Sequence, residues 1–377
     1  MKIPGFLITI LDRLHEFGFQ AYIVGGAVRD WYLNRPFTDW DIATSARPEE
    51  IKGLFRDIRS FSLKHNTVTL VAPDRTYEVT TFRGADDFGH TLEEDLGRRD
   101  FTINAMAYDR EKKAIIDPYN GRDDISLKLI RAVGDPRDRF REDPLRLLRA
   151  IRLNTDFGFK IEQRTLETIS IMADQLASIA PERIRKEMMK ILMCRKASTG
   201  FNLMIKTDLL KQFLPELLEG FYKRQNAYHR YTIFKHVMET VEQVSTDPVL
   251  RLTALLHDIA KPRVREKVNG EFRFPGHAKE GARLAEEIME RLKFSHEVIG
   301  KVTNLIEHHM IVYDSGWSDG AVRRLIRRVG PEYIDQLFAF RKADILAHGF
   351  NDEETELLSE LQRRVKAINK KHIITQA

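Results

Sequence analysis

The chain has 377 residues, too many for one compact domain and suited to two to four, and its 42% apolar content is ample for buried cores. No segment approaches the length of a membrane span, and a single cysteine, Cys194, excludes an internal disulfide or a thiolate zinc cluster and suits a reducing cytoplasm. The formal net charge of +5 is modest, so a polyanion partner is compatible only if the excess is local.

Residues 1–19 read as an amphipathic helix with Phe6, Leu7, Ile10, Leu11 and Leu14 on one face. Asp12 and Glu16 lie inside the pattern and no small-residue cleavage site follows, which argues against a signal peptide. Strands are expected at Ala21–Val24, Trp40–Ala43, Thr67–Val71, Thr76–Phe82 and Ala114–Asp117. Between them a helix capped near Ser45 starts on Pro48-Glu49-Glu50. From Asp138 onward the pattern is helical almost throughout, as in Leu166–Leu176 and Ile184–Leu192. The Lys-, Arg-, Gln- and Asn-rich stretch Phe221–His229 reads as a linker, and no internal repeat is present. The fold class is therefore α+β: a small head with a mixed sheet (residues 1–137), a helical neck (138–222), a second helical domain (223–350) and a C-terminal helix (351–377).

Chemistry concentrates in VGGAVRDWYLNRPFTDWDIAT, Val24 to Thr44. A Gly25-Gly26 turn between strand and helix lets backbone N–H groups approach phosphate, so Gly26 and Arg29 are expected to cradle a triphosphate. Asp39 and Asp41, alternate residues of a strand, point the same way and are the expected Mg²⁺ ligands of a nucleotidyl transfer. Glu78, on a neighbouring strand, either supplies a third catalytic carboxylate or faces water at the sheet edge. In Glu142-Asp143-Pro144-Leu145-Arg146, Asp143 and Arg146 share a helix face if the helix runs through them. A carboxylate beside a guanidinium matches the donor and acceptor edge that cytosine and adenine share and repels guanine and uracil. Pro144 equally fits the first position of a helix, with Asp143 as its N-cap. The basic excess is indeed local: Arg137, Arg139, Arg141, Arg146, Arg149 and Arg152 crowd one stretch, and Arg183, Arg185, Lys186 and Lys190 a later helix. Arg149 and Arg152 follow Arg146 by threes and are expected to reach the triphosphate.

These segments resemble the class II tRNA nucleotidyltransferases of the polymerase β superfamily, to which bacterial poly(A) polymerases also belong. Supporting motifs are Arg98-Arg99-Asp100-Phe101-Thr102-Ile103-Asn104-Ala105, the helix RFREDPLRLLRAIR from Arg139 to Arg152, and ERIRKEMMKIL from Glu182 to Leu192. The match is dense over residues 20–195. The resemblance implies addition of the 3′-terminal CCA of tRNA from CTP and ATP, with Arg99 contacting the nucleotide and Asp143 and Arg146 acting as template. Asp100 is expected to hold Arg99 in place. The connection from Phe82 to Arg98 is shorter than in typical members; within the family a missing loop goes with enzymes that add C-C alone. A poly(A) polymerase, using the same chemistry, is the nearest alternative, and an inactive tRNA-binding protein is a more distant one.

Nine of the twelve histidines lie at or after His229. Ala254 to Pro262, ALLHDIAKP, resembles the core of the HD phosphohydrolase domain, with His236 before it and His277, His308, His309 and Asp344 after. Imidazole and carboxylate donors without thiolate suit Mn²⁺, Fe²⁺, Ni²⁺ or Mg²⁺, with Asp258 next to His257 placed to bridge two ions. Such a domain is either a phosphohydrolase, which would then be the main activity, or a helical scaffold that holds tRNA.

Overall fold

A computed structural model describes residues 2–63, 66–73, 75–84, 88–225, 230–348 and 353–376, except for the side chains of Leu63 and of 369–376. Part of the expected linker, including His229, lies outside the described residues. The chain divides into two units, Met1–Arg146 with Gly158–Ile169, and Leu147–Phe157 with Ser170–Ala377.

The first unit is built on strands β1 (Ala21–Val24), β2 (Asp41–Thr44), β3 (Ser60–Leu63), β4 (Thr67–Val71), β5 (Thr76–Thr81), β6 (Ala107–Asp109) and β7 (Ala114–Ile116). They form one sheet in the order β3-β4-β5-β2-β1-β6-β7, mixed because β2 and β5 run parallel while the other pairs are antiparallel. The helices of this part are α1 (Gly5–Glu16), α2 (Gly26–Tyr32), α3 (Pro48–Leu54), α4 (Leu92–Gly97), α5 (Gly121–Ser126) and α6 (Pro136–Glu142). Helix α1 buries Leu7, Ile10, Leu11 and Leu14, the stripe read from its 3.6-residue period. Helix α3 is capped at Arg47, not Ser45: the Arg47 N–H donates to Glu50 at 2.7 Å, while Ser45 Oγ accepts from Gln20 N. Val24, Ala43, Phe82, Leu92, Leu96, Ala105, Ala107 and Val133 form a core that joins the central strands to α4. Two short strands, β8 (Leu129–Ile130) and β9 (Lys160–Ile161), pair in parallel and bring residues 158–169 back to this unit.

Helix α7 (Leu145–Phe157) begins in the first unit, and its part from Leu147 belongs to the second. After α8 (Gln163–Ile171) come α9 (Pro181–Leu192), α10 (Ala197–Lys206), α11 (Ile233–Gln243) and α12 (Pro248–Leu256). A hairpin of β10 (Glu266–Val268) and β11 (Glu271–Arg273) leads to α13 (His277–Arg291), α14 (His296–Glu307), α15 (Asp319–Val329), α16 (Ile334–His348) and α17 (Glu353–Gln376). The expected helix Leu166–Leu176 is interrupted: α8 stops at Ile171 and a 3₁₀ turn spans Ala173–Ser178. Among the described residues no helix is long and apolar enough to cross a membrane.

Gly121 shows how tightly the first unit is packed. A Cβ there would lie 2.3 Å from the Thr102 carbonyl oxygen, in the 3₁₀ turn Thr102–Asn104 that carries Asn104. Gly121→Ala is expected to destabilise the protein by about 1–3 kcal/mol through overpacking, read as a lower thermal midpoint.

Candidate active site

Asp41 opens β2 and its register partner on the parallel strand β5 is Glu78, so the two sit side by side in the sheet. Strand β2 starts one residue later than expected, and Asp39 precedes it, exposed, with Oδ1 accepting from Thr38 Oγ1 at 3.2 Å. Strand alternation therefore does not place Asp39. Burial, and then the charges of Asp41 and Asp39, raise the pKa of Glu78 above the usual carboxylate range. A divalent cation would relieve the crowding of negative charge on Glu78, and the donors of Asp39, Asp41 and Glu78, all oxygen, suit a hard ion.

The Gly25-Gly26 turn sets the opposite charge beside them. Gly25 adopts φ +74°, and a Cβ there would fall 2.9 Å from Arg99 Nη1 and 3.4 Å from Asp41 Oδ2. Only a residue without a side chain leaves guanidinium and carboxylate that close. Arg99 is held by Asp95, not by the expected Asp100. Asp95 is wholly buried, and its Oδ2 accepts from Arg99 Nε and Nη2 at 3.1 and 2.9 Å. Its Oδ1 accepts from the backbone N of Arg83, which ties the two ends of the short Phe82–Arg98 connection together. Asp100 instead turns inward, where its Oδ1 accepts from Phe101 N and Asn104 Nδ2, both at 2.9 Å. Asn104 Oδ1 in turn accepts from Arg29 Nη1, while Asp30 accepts from Arg29 Nε and Nη2 at 2.9 and 2.8 Å. Arg29 is thus buried and braced, with its Nη2 3.4 Å from where a Gly26 Cβ would be.

Asp143 and Arg146 do not share one helix. Helix α6 ends at Glu142, Asp143 is extended at φ −152°, and its Oδ1 accepts from Leu145 N at 3.2 Å at the start of α7. Pro144 causes the break, because a proline disfavours helical backbone in the residue before it. Asp143 is therefore a cap, and Arg146 lies in the first turn of α7. Glu142 organises this corner: it accepts from Arg98, from Arg139 Nη2 at 2.8 Å and from Arg146 Nη1 at 2.9 Å. Arg146 Nη2 also donates to the Arg98 carbonyl at 2.8 Å. Further along α7, in the second unit, Arg152 Nε meets Glu187 Oε2 of α9 at 3.3 Å. Arg149 follows Arg146 on the same helix and is half-buried.

The second unit holds a separate cluster. His236 on α11, His257 and Asp258 after α12, His277 at the start of α13, His309 after α14 and Asp344 on α16 are all buried. Their ligand atoms form two groups, His236 with His257 and Asp344, and Asp258 with His277 and His309, each within 4.8 Å. The Nδ1 atoms of His257, His277 and His309 face the carbonyls of Ala254, Phe274 and Ile306 at 2.9, 2.9 and 2.6 Å. A proton shared with each carbonyl leaves Nε2 as a lone pair directed inward, as in metal-binding histidines. Those lone pairs face each other, at 3.2 Å for His236 and His257 and 3.3 Å for His277 and His309. Asp258 Oδ1 and Asp344 Oδ1 are buried without a hydrogen-bond donor. So many inward acceptors need a cation. Lys261 Nζ reaches Asp258 Oδ2 at 2.7 Å. His308 is not in the cluster: it is partly buried and its Nδ1 faces the Asn304 carbonyl at 2.9 Å. Consecutive residues at a helix end point in different directions, so only one of the His308-His309 pair can face inward. His348 was missed. It lies one turn after Asp344 on α16, its Nε2 3.6 Å from Asp344 Oδ1, a spacing visible in the sequence.

Three family models match: the Poly A polymerase head domain over residues 21–131, the probable RNA and SrmB-binding site of polymerase A over 158–220, and the HD domain over 229–364. The CCA-adding enzymes of Pediococcus pentosaceus and Geobacillus thermodenitrificans are 41% and 43% identical over 250 and 236 residues, 63% and 59% of this chain. The matches span 62% and 58% of those proteins, so the chain aligns with about three fifths of their length. The crystal structure of the Bacillus stearothermophilus CCA-adding enzyme in complex with CTP superposes with a TM-score of 0.73 at 30% identity, covering 97% of this chain and 83% of that one. This chain belongs to the CCA-adding enzyme family.

For a CCA-adding enzyme relative, the head and HD domains imply use of divalent metal, and the inward-facing donor groups of the second unit fit one. Asp95 and Glu142, which sequence reasoning did not select as site residues, both sit four positions before the arginine they hold, and that spacing is the signal that could have found them. Equilibrium dialysis against Mn²⁺ or Ni²⁺ tests the second cluster. Asp258→Asn is expected to lose binding that His308→Ala retains; equal loss in both would place His308 among the ligands.

Proposed function

We propose that this chain is a template-independent tRNA nucleotidyltransferase that extends the tRNA 3′ end from CTP and ATP. The observation that carries the reading is the Asp41–Glu78 carboxylate pair with Arg99 set against it across Gly25. Mg²⁺ held by Asp39 and Asp41 would stabilise the attacking and leaving oxygens of the displacement. The 3′-hydroxyl oxygen bonds to the α-phosphorus, the bond to the bridging oxygen breaks, and pyrophosphate leaves. Glu78, crowded by two neighbouring carboxylates, is raised toward the proton-accepting range and lies beside Asp41, where it can take part in moving the hydroxyl proton.

Arg99, oriented by Asp95, neutralises the triphosphate, and Arg29 braces the Gly26 turn on which it rests. Arg149 and Arg152 add positive charge along α7. Asp143 accepts from the exocyclic amino group shared by cytosine and adenine, and Arg146, fixed by Glu142, donates to the adjacent ring nitrogen. Each good pair of this kind is worth about 1–3 kcal/mol of discrimination, enough to reject G and U without a template. The basic helices grip tRNA by shape and phosphates, as duplex RNA requires. In the second unit, imidazole and carboxylate donors favour Ni²⁺, Mn²⁺ or Fe²⁺ over Mg²⁺.

The test supplies a tRNA transcript lacking its 3′ CCA with CTP alone, ATP alone, or both, and sequences the products. C-C from CTP and C-C-A from both are expected, and Asp41→Ala should abolish incorporation. A product that stops at C-C with both nucleotides would make this a C-C-adding enzyme, consistent with its short Phe82–Arg98 connection. Long A tails from ATP alone would overturn the reading in favour of a poly(A) polymerase. Incorporation of G or U at comparable rates would refute the role given to Asp143 and Arg146.

A further inference from the structure

We propose that the outer face of α15 is an RNA-binding surface that holds phosphates of duplex RNA; this rests on the reading above, which supplies tRNA as the partner. Helix α15 buries Val322, Leu325, Ile326 and Val329 and turns Arg323, Arg324, Arg327 and Arg328 outward, all four exposed. Two guanidinium pairs one turn apart make one positive stripe, and four charges nearly equal the whole chain's excess of +5.

Surface arginines are commonly accounted for by ion pairs within their own helix. In the same unit the exposed Arg283 pairs with Glu280 and Glu287, and Lys301 with Glu297. Helix α15 has one acid, Asp319, and it is taken by Arg364 of α17 at 3.0 Å. Among the described residues none of the four arginines has an ion pair or side-chain hydrogen bond. The helix dipole rewards cations in the last turn, which covers Arg327 and Arg328 but not Arg323 and Arg324. What remains are like-charge neighbours at Arg323–Arg327 and Arg324–Arg328, an arrangement that weakens a helix on its own. Among the described residues nothing compensates for it; a polyanion does.

The stripe is also pre-organised. Arg364 donates to Tyr313 Oη, the Trp317 carbonyl and Asp319 Oδ1, which fixes the start of α15, and Asn304 Nδ2 holds the Val329 carbonyl at its end. A guanidinium on a fixed helix loses less freedom on meeting phosphate than one on a loop. Duplex RNA presents phosphates and 2′-hydroxyls to a helix face far more than base edges, so recognition is of the backbone, without sequence preference.

The test measures affinity of the full chain for a tRNA transcript lacking its 3′ CCA, by filter binding over a range of KCl concentrations. Replacing Arg323, Arg324, Arg327 and Arg328 with Gln is expected to weaken binding by roughly ten- to a hundredfold at about 0.1 M KCl. The log–log salt slope should become shallower by about 3, since each of four lost phosphate contacts removes about 0.7–0.9. Lysine at the same four positions should restore most of both, whereas Arg283→Gln, an ion-paired exposed arginine of the same unit, should change neither. If the fourfold variant does not fold, Arg323→Gln with Arg324→Gln should give about half the slope change. Wild-type affinity and slope in the Gln variants would overturn the proposal and leave an acidic protein as the alternative partner. A wild-type chain that adds no nucleotide in the primer assay would instead sink the reading on which it rests.

Discussion

The first site depends on bringing a guanidinium and a carboxylate to either side of one glycine. Gly25 takes a left-handed backbone conformation at the end of β1, and the space its side chain would fill is shared by Arg99 Nη1 and Asp41 Oδ2. A phosphoryl displacement needs both charges within a few ångströms: positive for the triphosphate, negative for the ions that stabilise its oxygens. Elsewhere they would close into an ion pair and cancel. Here Asp95 claims two nitrogens of Arg99, so its third is presented at the turn.

The same device recurs around the site. Around Gly25 and the start of α7, carboxylates fix the arginines in place. Asp95 holds Arg99, Glu142 holds Arg146 together with Arg98 and Arg139, and Asp30 holds Arg29. Long cationic side chains have many rotamers, and a buried acid pre-pays their ordering before nucleotide arrives. The second unit inverts the pattern. There the carboxylates Asp258 and Asp344 converge with inward imidazole nitrogens, the donor set of a metal site.

Much of this was legible in the residues. Alternation and β-branched runs located five of the sheet's strands, and the Gly-Gly turn, the D-x-D pair and the helical remainder followed from spacing. Strands β3 and β6 were not seen because Ser60–Leu63 and Ala107–Asp109 carry no β-branched residue, unlike the strands that were located. Strand periodicity oriented Asp41 but not Asp39, which lies just outside the strand, where the two-residue rule has no force. Of the two readings open for Asp143, helix-face residue and cap, the cap is the one seen, because Pro144 breaks the helix before it. Asp100 was preferred over Asp95 as partner of Arg99 by nearness in sequence, whereas one helical turn brings side chains together and one residue does not. His308 and His348 exchanged places for the same geometric reason.

The most direct measurement is single-turnover CTP incorporation by Gly25→Ala, with circular dichroism and the thermal midpoint recorded alongside. A methyl group at this position would meet Arg99 Nη1 at 2.9 Å and Asp41 Oδ2 at 3.4 Å in a backbone conformation that L-residues rarely adopt. A folded protein whose incorporation rate has fallen by at least about a hundredfold is expected, the scale of losing one preorganised charge at a reacting centre. A folded Gly25→Ala protein that incorporates CTP at the wild-type rate would show that the close approach of Arg99 and Asp41 is not what the chemistry requires.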